Sequence, residues 1–258
     1  MKFNLNNPAF LQMAGNSTFS MRMTTSVENQ EFFELSANGV VYIDSVKNGV
    51  KVRKTLVSPD EEFVAIENDA NTEIVILGEV TVLNASDDGN TGLTSIDVSK
   101  NPALTELNFG GCTSLISLNV QNPALAELSC TKTGLTSIDL SKTPALTEFY
   151  CNYTRLTSLD VSKNTELTYL ALKNCTELIL LDIQNTELLA DGYLFVDLGT
   201  NLTTLRVAGT SDWAYEQVEN WLSGDAPNDG TILVDENTPQ DVIDAATDKG
   251  WTVEYVDA

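Results

Sequence analysis

From Leu93 to Leu188 one phrase of apolar and polar positions recurs along the chain. Leucine opens a half-unit at 93, 104, 115, 125, 135, 146, 156, 167, 178 and 188, so the step is 10 or 11 residues and the full period 21 or 22. Each half-unit has the form LxxLxL, with Ile, Phe, Val or Cys standing in at some positions. In a strand alternate side chains share a face, so the fourth and sixth positions point inward and the third and fifth point out. The Asn-, Thr-, Pro- and Gly-bearing stretch after each strand turns the chain. A coil this short leaves no room for a well-formed helix on its second side. Both flanks are therefore expected to be narrow strands or extended segments, stacked in parallel about 4.8 Å apart. No coil buries its leucines alone, so stability must come from neighbours and from closure of both ends.

The flanking segments carry different patterns. Short strands are expected at Phe19–Met23, Phe32–Leu35, Val40–Ile43, Val50–Val57, Phe63–Ile66 and Ile74–Leu77, separated by Asn-Gly, Ser-Pro-Asp and Asp-Ala-Asn turn signals. They predict a small antiparallel β domain, with a sandwich as one arrangement, joined to the coils through the loop Asn84–Gly92. Residues 1–16 show no period and read as a docking arm or a frayed terminus. Beyond the repeats, Asp212–Leu222 reads as a short amphipathic helix. It is followed by strand Thr231–Val234, helix Pro239–Lys249 and strand Trp251–Val256. Thr238 suits an N-cap, Pro239 a first helical turn and Gly250 the stop. This unit is expected to cover the last leucines, with Trp213, Trp221 and Trp251 in the core.

The phrases LTSIDVSKNPALTELNF and LTSLDVSKNTELTYLAL resemble the short leucine-rich repeats common in proteins of gut Bacteroidetes and their phages, related to surface-antigen-type and internalin-like repeats. The resemblance covers residues 93–190, with Leu202–Val207 (LTTLRV) as a divergent last turn. It implies a leucine-rich-repeat solenoid, mostly β with parallel stacked strands, carrying an N-terminal antiparallel β domain and a C-terminal α/β cap. The corresponding division is 1–85, 86–210 and 211–258. Such repeats bind host proteins, glycans or one another, and the motif specifies fold far better than function.

Charge narrows the partners. The formal net charge is −23, divided as −5 over 1–85 (6 basic, 11 acidic), −7 over 86–210 (7 basic, 14 acidic) and −11 over 211–258 (1 basic, 12 acidic). No basic stripe is present to displace counterions from phosphates, so nucleic acid and anionic lipid are not expected partners. No stretch approaches the roughly 18 apolar residues of a membrane span. The N-terminal segment has no apolar h-region and does not read as a secretory signal. The expected location is the cytoplasm or a phage particle, with the cell surface as the alternative.

Candidate chemistry is sparse. The chain contains no histidine, which removes the commonest general base and zinc ligand. No GxSxG, P-loop or GxGxxG phrase occurs, so no enzyme, cofactor or metal is expected. Cys130 and Cys151 fall at the inward sixth position, and Cys112 and Cys175 at the turn three residues later. They read as buried structural thiols; Cys130 and Cys151 are stack neighbours whose bridging nothing requires. One outward series runs Ser95/Asp97, Ser117/Asn119, Ser137/Asp139, Ser158/Asp160 and Leu180/Asp182, balanced by Lys100, Lys142 and Lys163. The other runs Glu106/Asn108, Glu127/Ser129, Glu148/Tyr150, Tyr169/Ala171 and Thr204/Arg206. Tyrosine offers rigid amphipathic contact area, so Tyr150, Tyr169, Glu127, Glu148 and Arg206 form a candidate recognition strip, against ordinary variation at exposed positions. Function follows as non-enzymatic binding of a protein or glycan. The alternatives are a structural virion component, such as a decoration, tail or fibre protein, or a surface adhesin, and homo-oligomers or a virion assembly remain open.

Overall fold

The computed structural model describes residues 20–25, 29–57, 59–60, 62–71, 73–86, 92–188 and 201–256. The expectations for residues 1–16 and for most of the 84–92 loop lie outside these residues, as does the Trp213 side chain.

The leucine phrase forms two parallel ladders. On one, β7 (Glu106–Asn108), β9 (Glu127–Ser129), β10 (Glu148–Tyr150) and β12 (Tyr169–Ala171) stack in the order β7–β9–β10–β12. The register is that of the repeat, Glu106↔Glu127↔Glu148↔Tyr169 and Leu107↔Leu128↔Phe149↔Leu170. On the other, β6 (Leu93–Lys100) pairs with β8 (Ser117–Asn119), and β11 (Ser158–Asp160) pairs with β13 (Leu180–Asp182), then β14 (Thr204–Arg206). The expected rung at Ser137–Asp139 is not a strand, although the Thr157 N–H still reaches the Thr136 carbonyl at 3.2 Å. The inward positions are fully buried in coil after coil: Leu104, Leu125, Leu146 and Leu167 at the first position, Phe109, Cys130, Cys151 and Leu172 at the sixth.

Polar ladders close the turns. Asn101, Asn122, Thr143, Asn164 and Thr186 succeed one another, all buried, along one flank. Asn122 Nδ2 donates to the Val98 and Asn101 carbonyls at 3.0 and 2.7 Å, and Asn164 Nδ2 to the Thr143 carbonyl at 2.7 Å. Along the other flank run Cys112, Thr133, Thr154 and Cys175; Thr133 and Thr154 donate to the Cys130 and Cys151 carbonyls at 2.7 and 2.9 Å. The residue just before each of these, Gly111, Lys132, Tyr153 and Asn174, has positive φ, so every coil turns this corner through a left-handed residue. Asp97, Asp139, Asp160 and Asp182 each accept a hydrogen bond from the backbone N–H two residues on, an Asx turn that ends the strand at Asp160 and Asp182.

The N-terminal strands differ from expectation in extent. β1 is Ser20–Thr25, β2 Asn29–Lys47, β3 Val50–Val57, β4 Glu62–Asn68 and β5 Glu73–Asn84. Asn48-Gly49, both at positive φ, makes the tight β2–β3 hairpin, whereas Asn38-Gly39 lies where the β2–β5 register shifts inside one long strand. The strands do not form a sandwich. β1 pairs antiparallel with both β5 and β6, and β5 continues in parallel into β7, so these strands and the first ladder share one sheet. The inner face of this sheet (Met21, Met23, Ile74, Ile76, Leu83) joins the repeat core.

At the other end β15 (Thr231–Val234) and β16 (Thr252–Tyr255) extend the second sheet in parallel, in the order β11–β13–β14–β15–β16. Helices α1 (Asp212–Ser223) and α2 (Gln240–Asp248) follow β14 and β15 and pack on each other. They take the place of second-half strands. The register step from Thr231 to Thr252 is 21 residues and contains α2, so a coil of repeat length does accommodate a short helix. Ser211 caps α1 by accepting from the Ala214 N–H at 3.3 Å. At α2 the cap is Pro239 instead of Thr238, whose hydroxyl donates to Asp235 at 3.0 Å. Trp221 and Trp251 are buried edge to face, centroids 5.5 Å apart.

Candidate functional site

The register aligns Glu106, Glu127 and Glu148 on successive rungs, with Tyr169 next in line. Three carboxylates one strand spacing apart repel one another. Partial burial raises the Glu127 carboxyl above its ordinary range, and the charges of Glu148 and Glu106 raise it further. Tyr150, beside Glu148 on the same rung, donates its hydroxyl to Glu148 Oε2 at 2.5 Å. Burial, and then that carboxylate, push the phenol up, so it stays protonated and remains a donor. The rings of Tyr150 and Tyr169 lie 4.8 Å apart at 37°. Both are half-buried instead of exposed, because they cover each other across adjacent rungs.

A groove of about 340 Å³ adjoins this row, lined by Glu34 and Ser36 of β2, Asn84 of β5, Glu106, Asn108 and Glu127. Glu34 and Glu106 were not part of the sequence-derived strip. Glu106 follows from register alone, whereas Glu34 reaches the groove through a β2–β5 pairing that no local pattern announces. Exposed Tyr153, three residues after Tyr150, stands at a left-handed turn.

Arg206 does not belong with the tyrosines. Half-units alternate between ladders, so the one opened by Leu202, following Leu188, falls on the ladder of β11 and β13, where β14 pairs with β13. There Arg206 Nη1 lies 3.2 Å from Asp182, at the rung directly opposite. Asp182, expected to point outward, is buried, and burial raises its carboxyl. The ion pair gives Arg206 a partner on its own ladder, away from the tyrosines.

All four cysteines are buried thiols outside any disulfide. Cys175 Sγ lies 3.1 Å from the Cys151 carbonyl and 3.4 Å from Thr154 Oγ1. Burial pushes the Cys130 and Cys151 thiols well above their ordinary range, which removes thiolate character. Among the described residues no group of three or more Cys, Asp or Glu is placed to hold a metal ion, and no helix is long and apolar enough to cross a membrane.

No family model matches the chain, and no curated protein matches it. Among solved structures it is similar to the functional domain of InlJ from Listeria monocytogenes, a domain that includes a cysteine ladder. The identity is 20%, over 66% of this chain and 52% of that one, with a TM-score of 0.19. This chain thus spans about half of that neighbour's length, and a superposition so loose carries no argument about fold or function. The class rests instead on the chain's own register. LxxLxL phrases stacked in parallel with their leucines inside make it a mostly β protein of leucine-rich-repeat-like coils, with two helices near one end among the described residues.

Proposed function

We propose that this is a non-enzymatic binding protein that recognises a protein partner through the β7–β9–β10–β12 face, with a glycan as the alternative partner. The observation that carries the reading is the contact of Tyr150 with Tyr169 at the end of the Glu106–Glu127–Glu148 row. An aromatic pair supplies contact area at low entropic cost, and the carboxylates select a partner presenting Lys or Arg. Arg206 drops out of the strip, leaving Glu127, Glu148, Tyr150 and Tyr169, joined by Glu106 and Glu34 at the groove. The N-terminal sheet (1–85) and the helical coils (211–258) serve in this reading as the two caps of the solenoid (86–210).

The test is a glycan array, and an array of peptides graded in Lys and Arg content, each probed with the wild type and with Tyr150→Ala/Tyr169→Ala. The double variant is expected to lose the hits that the wild type gives, by tenfold or more, as roughly 1.4 kcal/mol of contact energy would dictate. Hits retained at full strength by the double variant would contradict the assignment.

A further inference from the structure

The two ladders share one direction of stacking, and its two ends differ in charge. At one end the pairings run β7–β5–β2–β3, and among the described residues β3 pairs only with β2. At the other they run β14–β15–β16, and among the described residues β16 pairs only with β15. β3 and β16 are thus edge strands at opposite ends of one stack. Each displays apolar side chains of the kind that protected edges avoid: Val50 is 63% and Val57 73% exposed on β3, and Tyr255 is 65% exposed on β16.

Charge decides which edges are compatible. The hairpin 40–57 carries Lys47, Lys51, Arg53 and Lys54 against Asp44, a net charge of +3 in a chain of −23. Arg53 is matched by Asp44 across the hairpin and lies over the Tyr42 ring, whereas Lys51 and Lys54 extend from the exposed strand. Residues 211–258, which hold β16, carry −11. Two β3 edges repel, two β16 edges repel, and a β3 edge attracts a β16 edge.

The backbone is available on both. Lys47 and Val50 flank a two-residue turn and form the hydrogen-bonded pair next to it, so alternation turns the N–H groups of Lys51, Arg53, Thr55 and Val57 away from β2. On β16 the Thr252 and Val256 N–H groups donate to Gly230 and Val234 of the preceding coil at 2.8 and 2.9 Å, which leaves those of Val253 and Tyr255 facing outward.

We propose that copies of this chain associate head to tail, the β3 edge of one pairing with the β16 edge of the next and continuing the sheet from molecule to molecule. The contact is heterologous, so it propagates instead of closing a two-fold dimer. Strand addition supplies main-chain hydrogen bonds, and the basic hairpin against the acidic end supplies direction.

Light scattering across a concentration series at low salt reads the mass. The wild type is expected to rise above 28.1 kDa with concentration and to fall back as salt screens the charged ends. Thr55→Pro and Tyr255→Pro each remove one outward N–H without touching the inner ladder, and each alone should stay at 28.1 kDa. Mixed in equal amounts they retain one good edge of each kind, and should reach twice that mass and stop. Lys51→Glu/Lys54→Glu, at exposed side chains that leave the backbone intact, should weaken association by roughly tenfold and remove its salt dependence. Circular dichroism with a thermal melt verifies that each variant is folded. A wild type that stays at 28.1 kDa throughout overturns the proposal, as does association of either proline variant at wild-type strength or a mixture that fails to pair.

Discussion

Replacing Asn122 with alanine tests whether the buried polar ladder holds adjacent coils in register. The side chain is fully buried and donates to the Val98 carbonyl at 3.0 Å and the Asn101 carbonyl at 2.7 Å, one coil back. Its oxygen accepts from the Gln121 N–H at 3.0 Å. Both carbonyls keep a second partner, the N–H groups of Asn101 and Leu104, so neither is left wholly unpaired. Three hydrogen bonds at about 1 kcal/mol each give an expected loss of about 3 kcal/mol, a large share of the stability of an ordinary domain. Urea unfolding followed by circular dichroism measures it. Asn122→Thr, which copies the Thr143 hydroxyl bond to the Leu140 carbonyl one coil on, should recover part of the loss. Asn122→Asp keeps the shape but sets a carboxylate against two carbonyl oxygens, which raises its folded-state pKa above the unfolded value. The ionised form then favours the unfolded chain, so stability of this variant should increase as pH falls through the raised pKa. A loss below about 1 kcal/mol for Asn122→Ala, or no pH dependence for Asn122→Asp, would refute the reasoning.

Three further outcomes follow from particular contacts. Tyr153→Asn places at a left-handed corner the residue type that Asn174 already supplies one coil on, and should stabilise by about 1 kcal/mol in urea; destabilisation would mean that the Tyr153 ring packs more than its exposure indicates. Gly230→Ala would set a Cβ 2.7 Å from the Trp251 ring, so an overpacking cost of about 1–3 kcal/mol and a changed tryptophan emission are expected, and an unchanged melt would contradict the packing. Glu127→Gln removes the middle charge of the row and should stabilise by about 0.5 kcal/mol at neutral pH. Because the folded-state pKa of Glu127 is raised, its ionisation costs stability above that pKa, and the gain should vanish at acid pH where the wild type is itself protonated.

The period of the leucines was enough to place the two ladders, the inward rows and the buried thiols, because burial imposes its pattern on every coil. Alternation of faces also contained the position of Arg206, and the miscount at Leu202 came from treating the divergent turn as a second half-unit. Other features have no local signature. Asn48-Gly49 and Asn38-Gly39 are the same dipeptide, yet one is a hairpin turn and the other sits at a shift of register, a choice made by β5 pairing across both halves of β2. The single sheet joining β1 to both β5 and β6 is likewise a long-range pairing. The Asp series was read as a charged outer ladder, whereas its oxygens mostly serve Asx turns. The left-handed corners carry Gly, Lys, Tyr and Asn in turn, a set with no common residue type to mark the conformation.

The central claim is that the β7–β9–β10–β12 face, and not its opposite, recognises a partner. The most direct measurement is titration of the strongest peptide or glycan hit against three proteins: the wild type, Tyr150→Ala/Tyr169→Ala, and Ser117→Ala/Ser158→Ala, whose exposed serines lie on the other ladder. Binding lost by the tyrosine variant and retained by the serine variant is the predicted result. Equal binding by all three, or loss confined to the serine variant, would contradict it.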